Sequence, residues 1–426
     1  MNACILSIGD ELVLGQTVDT NTAWIAKQMA AVGCEIVAHA TVGDGQLEIE
    51  TAIRELSQRA DVLVISGGIG PTEDDLTRQA LSAVLDAPLD RNDEWMAVLE
   101  TYFARTNRKM PEINKVQAMI PRGATMIYNH AGTAAGVRAR LGTCEIFSTP
   151  GVPKEMKAMF ERDVLPWLVE RGGGAVIASR ILHTFGLGES AVGERLGALM
   201  TRGRNPSVGT TVSGGFVSLR LNVRAASREE ADRQLNDTEA ACREVMGELV
   251  FGRGDETLQG AVLTMLKAAP NQPTVATAES CTGGLLAKML TDLPGSSAIF
   301  RYGWVTYANA AKTSELGVPE ALLNDVGAVS EPVARAMAEG ARQKSGSTYA
   351  LAITGIAGPD GGTADKPVGT VWIALASASG TLVRRFNTFG DREMIRDRSA
   401  KMAITMLRYE LLGKPFPFGT QFNAIA

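Results

Sequence analysis

The chain has 426 residues, more than one hydrophobic core can organise, since cores stop growing at about 250 to 300 residues; three domains are expected. Hydrophobic residues make up 45% and charged residues 21%, a globular balance that sets aside general disorder, and a net charge of −5 makes nucleic acid an unexpected partner, because phosphate binding needs clustered Lys and Arg. The start, MNACILSIGD, has no basic segment followed by a long apolar run, and no stretch approaches the roughly 18 apolar residues that span a bilayer. A cytoplasmic protein without membrane contact is therefore expected.

From Ala3 to about Leu168 the apolar runs ACILSIG, CEIVAHATVG, DVLVISGG and CEIFSTPG alternate with helical periods at Asn21 to Val32, Leu47 to Arg59, Asp74 to Leu85 and Lys154 to Val169. That alternation predicts a mostly parallel sheet covered by helices, with ligands beyond the carboxyl ends of the strands. Three stretches directly follow strands and should converge there: GDELVLG (Gly9 to Gly15), SGGIGPTEDD (Ser66 to Asp75) and TPGVPKEM (Thr149 to Met156). Gly67 and Gly68 let the backbone approach a ligand, Gly9 and Gly151 stand in the two other loops, and Pro71 with Thr72 is expected to open a helix whose start attracts phosphate. Asp74 and Asp75 follow at once. Two readings stand for them: hard ligands for a divalent cation beside a phosphate, or first-turn acids that stabilise the helix macrodipole.

These loops resemble, in order and spacing, the signature loops of the molybdopterin-binding superfamily, and most closely the N-terminal domain of CinA proteins. The resemblance implies an ADP-ribose pyrophosphatase over residues 1–170, dependent on a divalent metal (Mg, Mn or Co), with potassium also implicated. Matched position by position, it makes Glu11, Asn21, Asp74, Asp75, Lys154 and Glu155 site candidates, with Asp74 and Asp75 toward the metal. Residues alone support a phosphate-containing ligand with a metal.

The run ERGGGA (Glu170 to Ala175) reads as a linker, since consecutive glycines resist both helix and strand. After it, SRILHTFG reads as a strand, Glu189 to Met200 as a helix, TTVSGG and FVSLRLNV as β segments and Arg228 to Met246 as a long helix. This βαββα pattern, residues 176–253, resembles the KH-type module of CinA proteins. RNA-gripping KH domains use a GxxG loop with basic flanks. GESAVG (Gly188 to Gly193) does not have that spacing, although TRGRNP brings two arginines nearby, so an interdomain or dimerisation spacer is expected.

The last unit, residues 256–415, begins with a helix (Glu256 to Ala268), the strand TVATAES, the glycine-opened helix CTGGLLAKML and the strand GWVTYAN. A helix from Glu331 to Lys344, the strands YALAITG, TVWIALAS and TLVRRFN and a final helix from Asp391 to Leu411 complete it. The tail, residues 416–426, is expected to be extended, its aromatics packed on a neighbouring surface.

AESCTGG puts Ser280 at the end of a buried strand and at the opening of a helix, where the N–H groups of Cys281, Thr282 and Gly283 would be unpaired and could hold an oxyanion, while Gly283 and Gly284 leave room for substrate. The plain alternative is that Ser280 is only an N-cap. Histidine is scarce: the three are His39, His130 and His183, so chemistry beyond residue 183 needs another base. A serine hydroxyl then points to a Ser-Lys arrangement with a desolvated lysine, and YANAAK supplies Tyr307 and Lys312. The five cysteines (Cys4, Cys34, Cys144, Cys242, Cys281) are scattered without a CxxC pair, which suggests neither disulfides nor zinc. Cys281 is a rival nucleophile by position, but no imidazole follows to pair with it.

AESCTGG, GWVTYANAAK, ITGIAGPDGG and DREMIRDR together resemble the CinA C-terminal domain, the nicotinamide-nucleotide amidase family. The resemblance implies Ser280 as nucleophile, Lys312 as base, Tyr307 as proton relay or orienting group, Thr354 beside the reacting amide, and Arg392 and Arg396 on the nucleotide phosphate. Four-residue spacing puts the two arginines on one helix face, and a forked guanidinium suits phosphate. Asp360 and Lys366 of the glycine-rich loop read as loop solvation.

The fold expected is multidomain α/β: two three-layer α/β domains joined by a small KH-like α+β module. The function expected is a bifunctional pyridine-nucleotide salvage enzyme, a homodimer, that deamidates nicotinamide mononucleotide without a cofactor and splits ADP-ribose at the metal-dependent site. Its rivals are a non-catalytic nucleotide- or pterin-binding protein and a competence or damage-response adaptor.

Overall fold

The computed structural model describes residues 1–105, 109–171 and 176–418. The glycines of the expected ERGGGA linker and the last eight residues of the tail lie outside the described residues. The chain forms two compact units, Met1–Ser179 with Asn222–Leu235, and Arg180–Leu221 with Asn236–Ala426.

The first unit begins with β1 (Asn2–Ile8), a short α1 (Asp10–Val13), α2 (Thr20–Ala31), β2 (Glu35–Val42), α3 (Gln46–Ser57), β3 (Val62–Ser66) and α4 (Thr77–Val84). Next come β4 (Leu89–Arg91), α5 (Asp93–Arg105), β5 (Met119–Pro121), β6 (Thr125–Ile127), β7 (Gly136–Leu141), β8 (Cys144–Thr149), α6 (Pro153–Met159) and α7 (Leu165–Arg171). Six strands make one sheet in the order β2-β1-β3-β8-β7-β6. The first four run parallel, and β7 and β6 are antiparallel additions.

Strands β1 and β3 are unbroken apolar runs because both faces of the sheet are covered. Cys4, Leu6, Leu63 and Ile65 pack with Ile49 and Ile53 of α3, while Ala3, Ile5, Val62 and Val64 pack with Ile25 and Met29 of α2 and with Phe160. Period-two alternation thus divides each strand between two helical layers.

One boundary differs from expectation in a way that matters. The helix expected from Asp74 starts only at Thr77, and Pro71 with Thr72 does not open it. The Asp75 carboxylate accepts from the N–H of Gly70 at 2.7 Å and of Thr72 at 2.9 Å, which holds Gly70 to Asp75 as a turn of its own. Such Asx-type bonds compete with helix formation.

The middle module has β9 (Val176–Thr184), α8 (Glu189–Leu196), β10 (Ser207–Ser213), β11 (Phe216–Ala225), α9 (Arg228–Met246) and β12 (Val250–Arg253), with strand order β10-β11-β9-β12. Strand β12, which pairs antiparallel with β9, adds to the expected βαββα pattern.

The remaining elements are α10 (Leu258–Ala268), β13 (Val275–Glu279), α11 (Leu285–Thr291), β14 (Phe300–Val305), α12 (Asn309–Leu316), α13 (Glu320–Val326) and α14 (Glu331–Ser345), then β15 (Tyr349–Gly355), β16 (Thr370–Ser377), β17 (Gly380–Asn387) and α15 (Arg392–Leu411). Their sheet runs β14-β13-β15-β16-β17, with β13 parallel to both neighbours and β16 and β17 antiparallel. Ala276, Ala278, Ala350, Ala352, Ala374 and Ala376 form a smooth face on which Val333, Met337 and Ala341 of α14 pack. In the tail, Phe416 and Phe418 pack their rings against Tyr409. Among the described residues no helix is long and apolar enough to cross a membrane.

Candidate active site

Strand β13 delivers Ser280 to the carboxyl edge of this sheet. It is zipped to β15 up to Glu279 opposite Ile353, and the Ser280 N–H donates to the Ile353 carbonyl at 2.9 Å, so Ser280 stands beside Thr354 in register. Helix α11 does not begin at Cys281 as expected, but at Leu285, with left-handed Gly284 as its N-cap. Between them lies a tight turn in which the Gly283 N–H donates to the Ser280 carbonyl at 3.1 Å. Gly283 and Gly284 have φ of +59° and +95°, a backbone that side-chain-bearing residues rarely adopt. Of the three N–H groups expected to be open, Gly283's is therefore spent inside the turn. Those of Cys281 and Thr282 donate to no backbone carbonyl among the described residues and can turn to a developing oxyanion.

The donors of the α11 start are taken by a residue that sequence reasoning missed. Glu279 is fully buried, and its carboxylate accepts from the N–H of Gly284 and Leu286, each at 3.0 Å, and of Ala287 at 2.8 Å. Cys281 is buried too. Burial, with Glu279's charge adding, pushes its thiol up to about 12, which removes it as a nucleophile at neutral pH.

Lys312 sits on α12, an element the sequence reading did not mark, and is fully buried. Its Nζ lies 3.1 Å from Ser280 Oγ, 2.8 Å from the Thr306 carbonyl and 3.2 Å from the Tyr307 carbonyl. Burial lowers its pKa, and the Cys281 sulfur nearby offsets that shift only in part. Nζ donates to all three oxygens, as an ammonium with three N–H donors can. Once it has lost a proton, two N–H groups can stay on the carbonyls while the lone pair faces the Ser280 hydroxyl. Such a geometry can draw the proton from Ser280 as its oxygen attacks a carbonyl carbon.

Around this pair the structure brings together most of the expected residues. Tyr307 is exposed, and its hydroxyl accepts from Arg392 at 3.0 Å; Arg392 also donates to the Gly358 carbonyl at 2.7 Å. Arg396 donates to the Thr282 carbonyl at 2.7 Å, and its Nε is buried without a partner. Arg392 opens α15, whose N-cap is Asp391, and Arg396 follows one turn later; Arg396 is the one that reaches the Ser280 turn, at Thr282. Thr354 is beside Ser280, but its hydroxyl donates to the Ala328 carbonyl at 2.9 Å. Lys366, read as loop solvation, instead donates to the Val326 carbonyl at 2.9 Å and pins the glycine-rich loop. Asp360 is exposed.

In the first unit Asn21 joins two of the expected loops. Its amide donates to Ser66 Oγ at 3.0 Å and to the Gly151 carbonyl at 2.7 Å, while its carbonyl oxygen is buried without a partner. With Glu11, Thr17 and Asp19 these residues line a cleft of about 130 Å³. Gly67 makes the close approach possible, because a Cβ there would stand 2.3 Å from the Ile8 carbonyl, and at Gly68 it would stand 2.3 Å from Thr77 Oγ1. The Gly9 N–H donates to the Val42 carbonyl. Lys154 is exposed, and Glu155 accepts from Asn129 at 2.6 Å.

The acids here form a patch. Asp44's pKa is raised by burial first, with the charges of Asp10, Glu11 and Asp74 adding. Asp75 is turned inward to its own loop, and among the described residues no group of three or more His, Cys, Asp or Glu is placed to hold a metal ion. The donor set does not fit a resident, protein-caged cation. One or two carboxylates could still meet an ion held mainly by the oxygens of a bound ligand.

Comparison with known proteins finds three family models in order: a probable molybdopterin binding domain at residues 4–170, a damage-inducible protein CinA KH domain at 179–252, and a CinA C-terminal domain at 255–411. A CinA-like protein of Frankia casuarinae is 43% identical over 97% of this chain and 97% of its own length. One from Geobacter sulfurreducens is 43% identical over 97% of this chain and all of its own. A solved competence/damage inducible protein of Agrobacterium tumefaciens is 42% identical over 36% of this chain and 95% of its own, with a TM-score of 0.35.

Proposed function

The chain belongs to the CinA-like protein family, and from that premise we propose that its C-terminal site deamidates nicotinamide mononucleotide. The observation that carries this reading is the buried Ser280–Lys312 contact at 3.1 Å, with Nζ otherwise held only by two carbonyls. Ser280 Oγ attacks the amide carbon while Lys312 takes its proton. The tetrahedral oxyanion is held by the N–H groups of Cys281 and Thr282. Lys312 then returns the proton to the leaving nitrogen, the C–N bond breaks, ammonia departs and an acyl-serine remains. Water, losing a proton to Lys312, hydrolyses the ester and gives nicotinate mononucleotide. No metal or cofactor takes part. Arg392 and Arg396 meet the phosphate, and Tyr307, held by Arg392, orients the substrate between them.

A second activity, hydrolysis of ADP-ribose to AMP and ribose 5-phosphate, is proposed for the first unit. It is favoured by the Asn21 bridge between the Ser66 and Gly151 loops, beside acids able to share a metal-bound diphosphate. The test is to incubate the purified full chain with each compound, with and without magnesium. Ammonia from nicotinamide mononucleotide that disappears in Ser280→Ala supports the amidase. Absence of both ammonia and AMP would favour a non-catalytic binding protein or an adaptor.

A further inference from the structure

We propose that Glu279 is a positioning residue for the nucleophile, a claim that rests on the reading of Ser280 as the attacking group. A glutamate with no exposed surface at the end of an interior strand needs partners, and Glu279 has three backbone N–H donors, all from the start of α11. Oε2 accepts from Gly284 and Leu286, and Oε1 from Ala287. The side chain thereby spans the turn that Ser280 begins and fixes its far end to the strand that carries Ser280.

Two consequences follow from that geometry. First, the donors a helix start would offer to a substrate anion are occupied, so within this turn, among the described residues, the N–H groups of Cys281 and Thr282 are the ones left to an oxyanion at Ser280. The turn is made selective for a small oxyanion at the serine, and the phosphate is left to the arginines of α15. Second, the Glu279 carbonyl accepts from the Thr306 N–H at 2.8 Å, and the Thr306 carbonyl is the nearest acceptor of Lys312 Nζ. One residue therefore sets the nucleophile's turn through its side chain and the lysine's acceptor through its main chain.

Glu279→Gln separates these roles from simple folding. Its amide oxygen can replace Oε2, but its NH2 then faces the Ala287 N–H, donor against donor, so the cap is weakened and not abolished. In the full-length protein, kcat for ammonia release from nicotinamide mononucleotide should fall at least about tenfold with KM changed less than about threefold, the signature of a group that serves the transition state. Labelling of Ser280 by a fluorophosphonate, read by mass spectrometry, should slow comparably at a temperature where the variant is fully folded. Unchanged labelling, or a loss confined to KM, overturns the proposal. So does a loss of rate no larger than the unfolded fraction accounts for. Wild-type protein that labels at Ser280 but releases no ammonia refutes the amidase reading and leaves the positioning role to be judged by labelling. Wild-type protein that does not label overturns the nucleophile and this proposal with it.

Discussion

Replacing Lys312 by arginine tests the proposed chemistry most directly. Lysine can lose its proton in a dry site, whereas arginine cannot at usable pH, so Lys312→Arg keeps the charge and removes the base. A positioned general base contributes about 10² to 10⁴ in rate, or about 2.7 to 5.5 kcal/mol of barrier, and kcat should fall by that range. Lys312→Met should fall as far. In the wild type, burial lowers the lysine's pKa, so the rate should rise with pH through an ionisation below the free-lysine value of about 10.4. Stability follows the same ionisation. Below the folded pKa both states hold the proton and the full desolvation cost is present. Between the folded pKa and about 10.4 the unfolded chain binds more protons, so stability rises with pH, by at most about 1.4 kcal/mol per unit. Above both values that cost is gone. Lys312→Met should flatten this rise. The assays are initial rates of ammonia release and urea unfolding across the alkaline range. A Lys312→Arg enzyme with near-normal kcat, or a wild-type rate indifferent to pH, refutes the reasoning.

Ser280→Ala should lose ammonia release at least about a thousandfold and keep ADP-ribose cleavage, as coupled ammonia and AMP assays would report. Arg392→Ala should raise KM for nicotinamide mononucleotide about tenfold or more with a smaller change in kcat; a pure kcat loss would instead make Arg392 part of the bond-breaking machinery through Tyr307. Chelation by EDTA, or Asp74→Asn, should lower AMP formation and leave ammonia release intact, and equal loss of both would defeat the assignment of one metal-dependent and one metal-free reaction. The folded protein should take up no iodoacetamide at Cys281 at pH 8, because that thiol is pushed up to about 12; rapid alkylation detected by mass spectrometry would contradict this.

The strands were legible where burial on both faces wrote itself into composition. ACILSIG, DVLVISGG and YALAITG are unbroken apolar runs, and each is a central strand. The segment from Ala87 to Thr143 gave no such signal. Its strands β4 to β7 are short or antiparallel, and α5 carries only three buried residues, Trp95, Met96 and Leu99. Helix starts were also misread where a side chain or a glycine turn intervened. Asp75 places its carboxylate on loop N–H groups ahead of α4, and left-handed Gly283 and Gly284 hold the chain in a turn ahead of α11, so each helix starts later than periodicity alone suggests.

The same physics explains why Lys312 could be read from sequence and Glu279 could not. With no histidine beyond His183, the need for a base left lysine as the candidate, and four ordered motifs singled out this one. Glu279 answers no chemical shortage. A glutamate between an alanine and a serine at a strand end looks like a solvated residue, and charged side chains are seldom fully buried unless paired. Only the three-dimensional path, in which the chain after Ser280 turns back through Gly283 and Gly284 and aims the α11 donors at the preceding strand, supplies the partners that make its burial possible. A candidate base can thus be found by asking what a proposed reaction lacks. The groups that hold them in place appear only when each buried charge is asked what satisfies it.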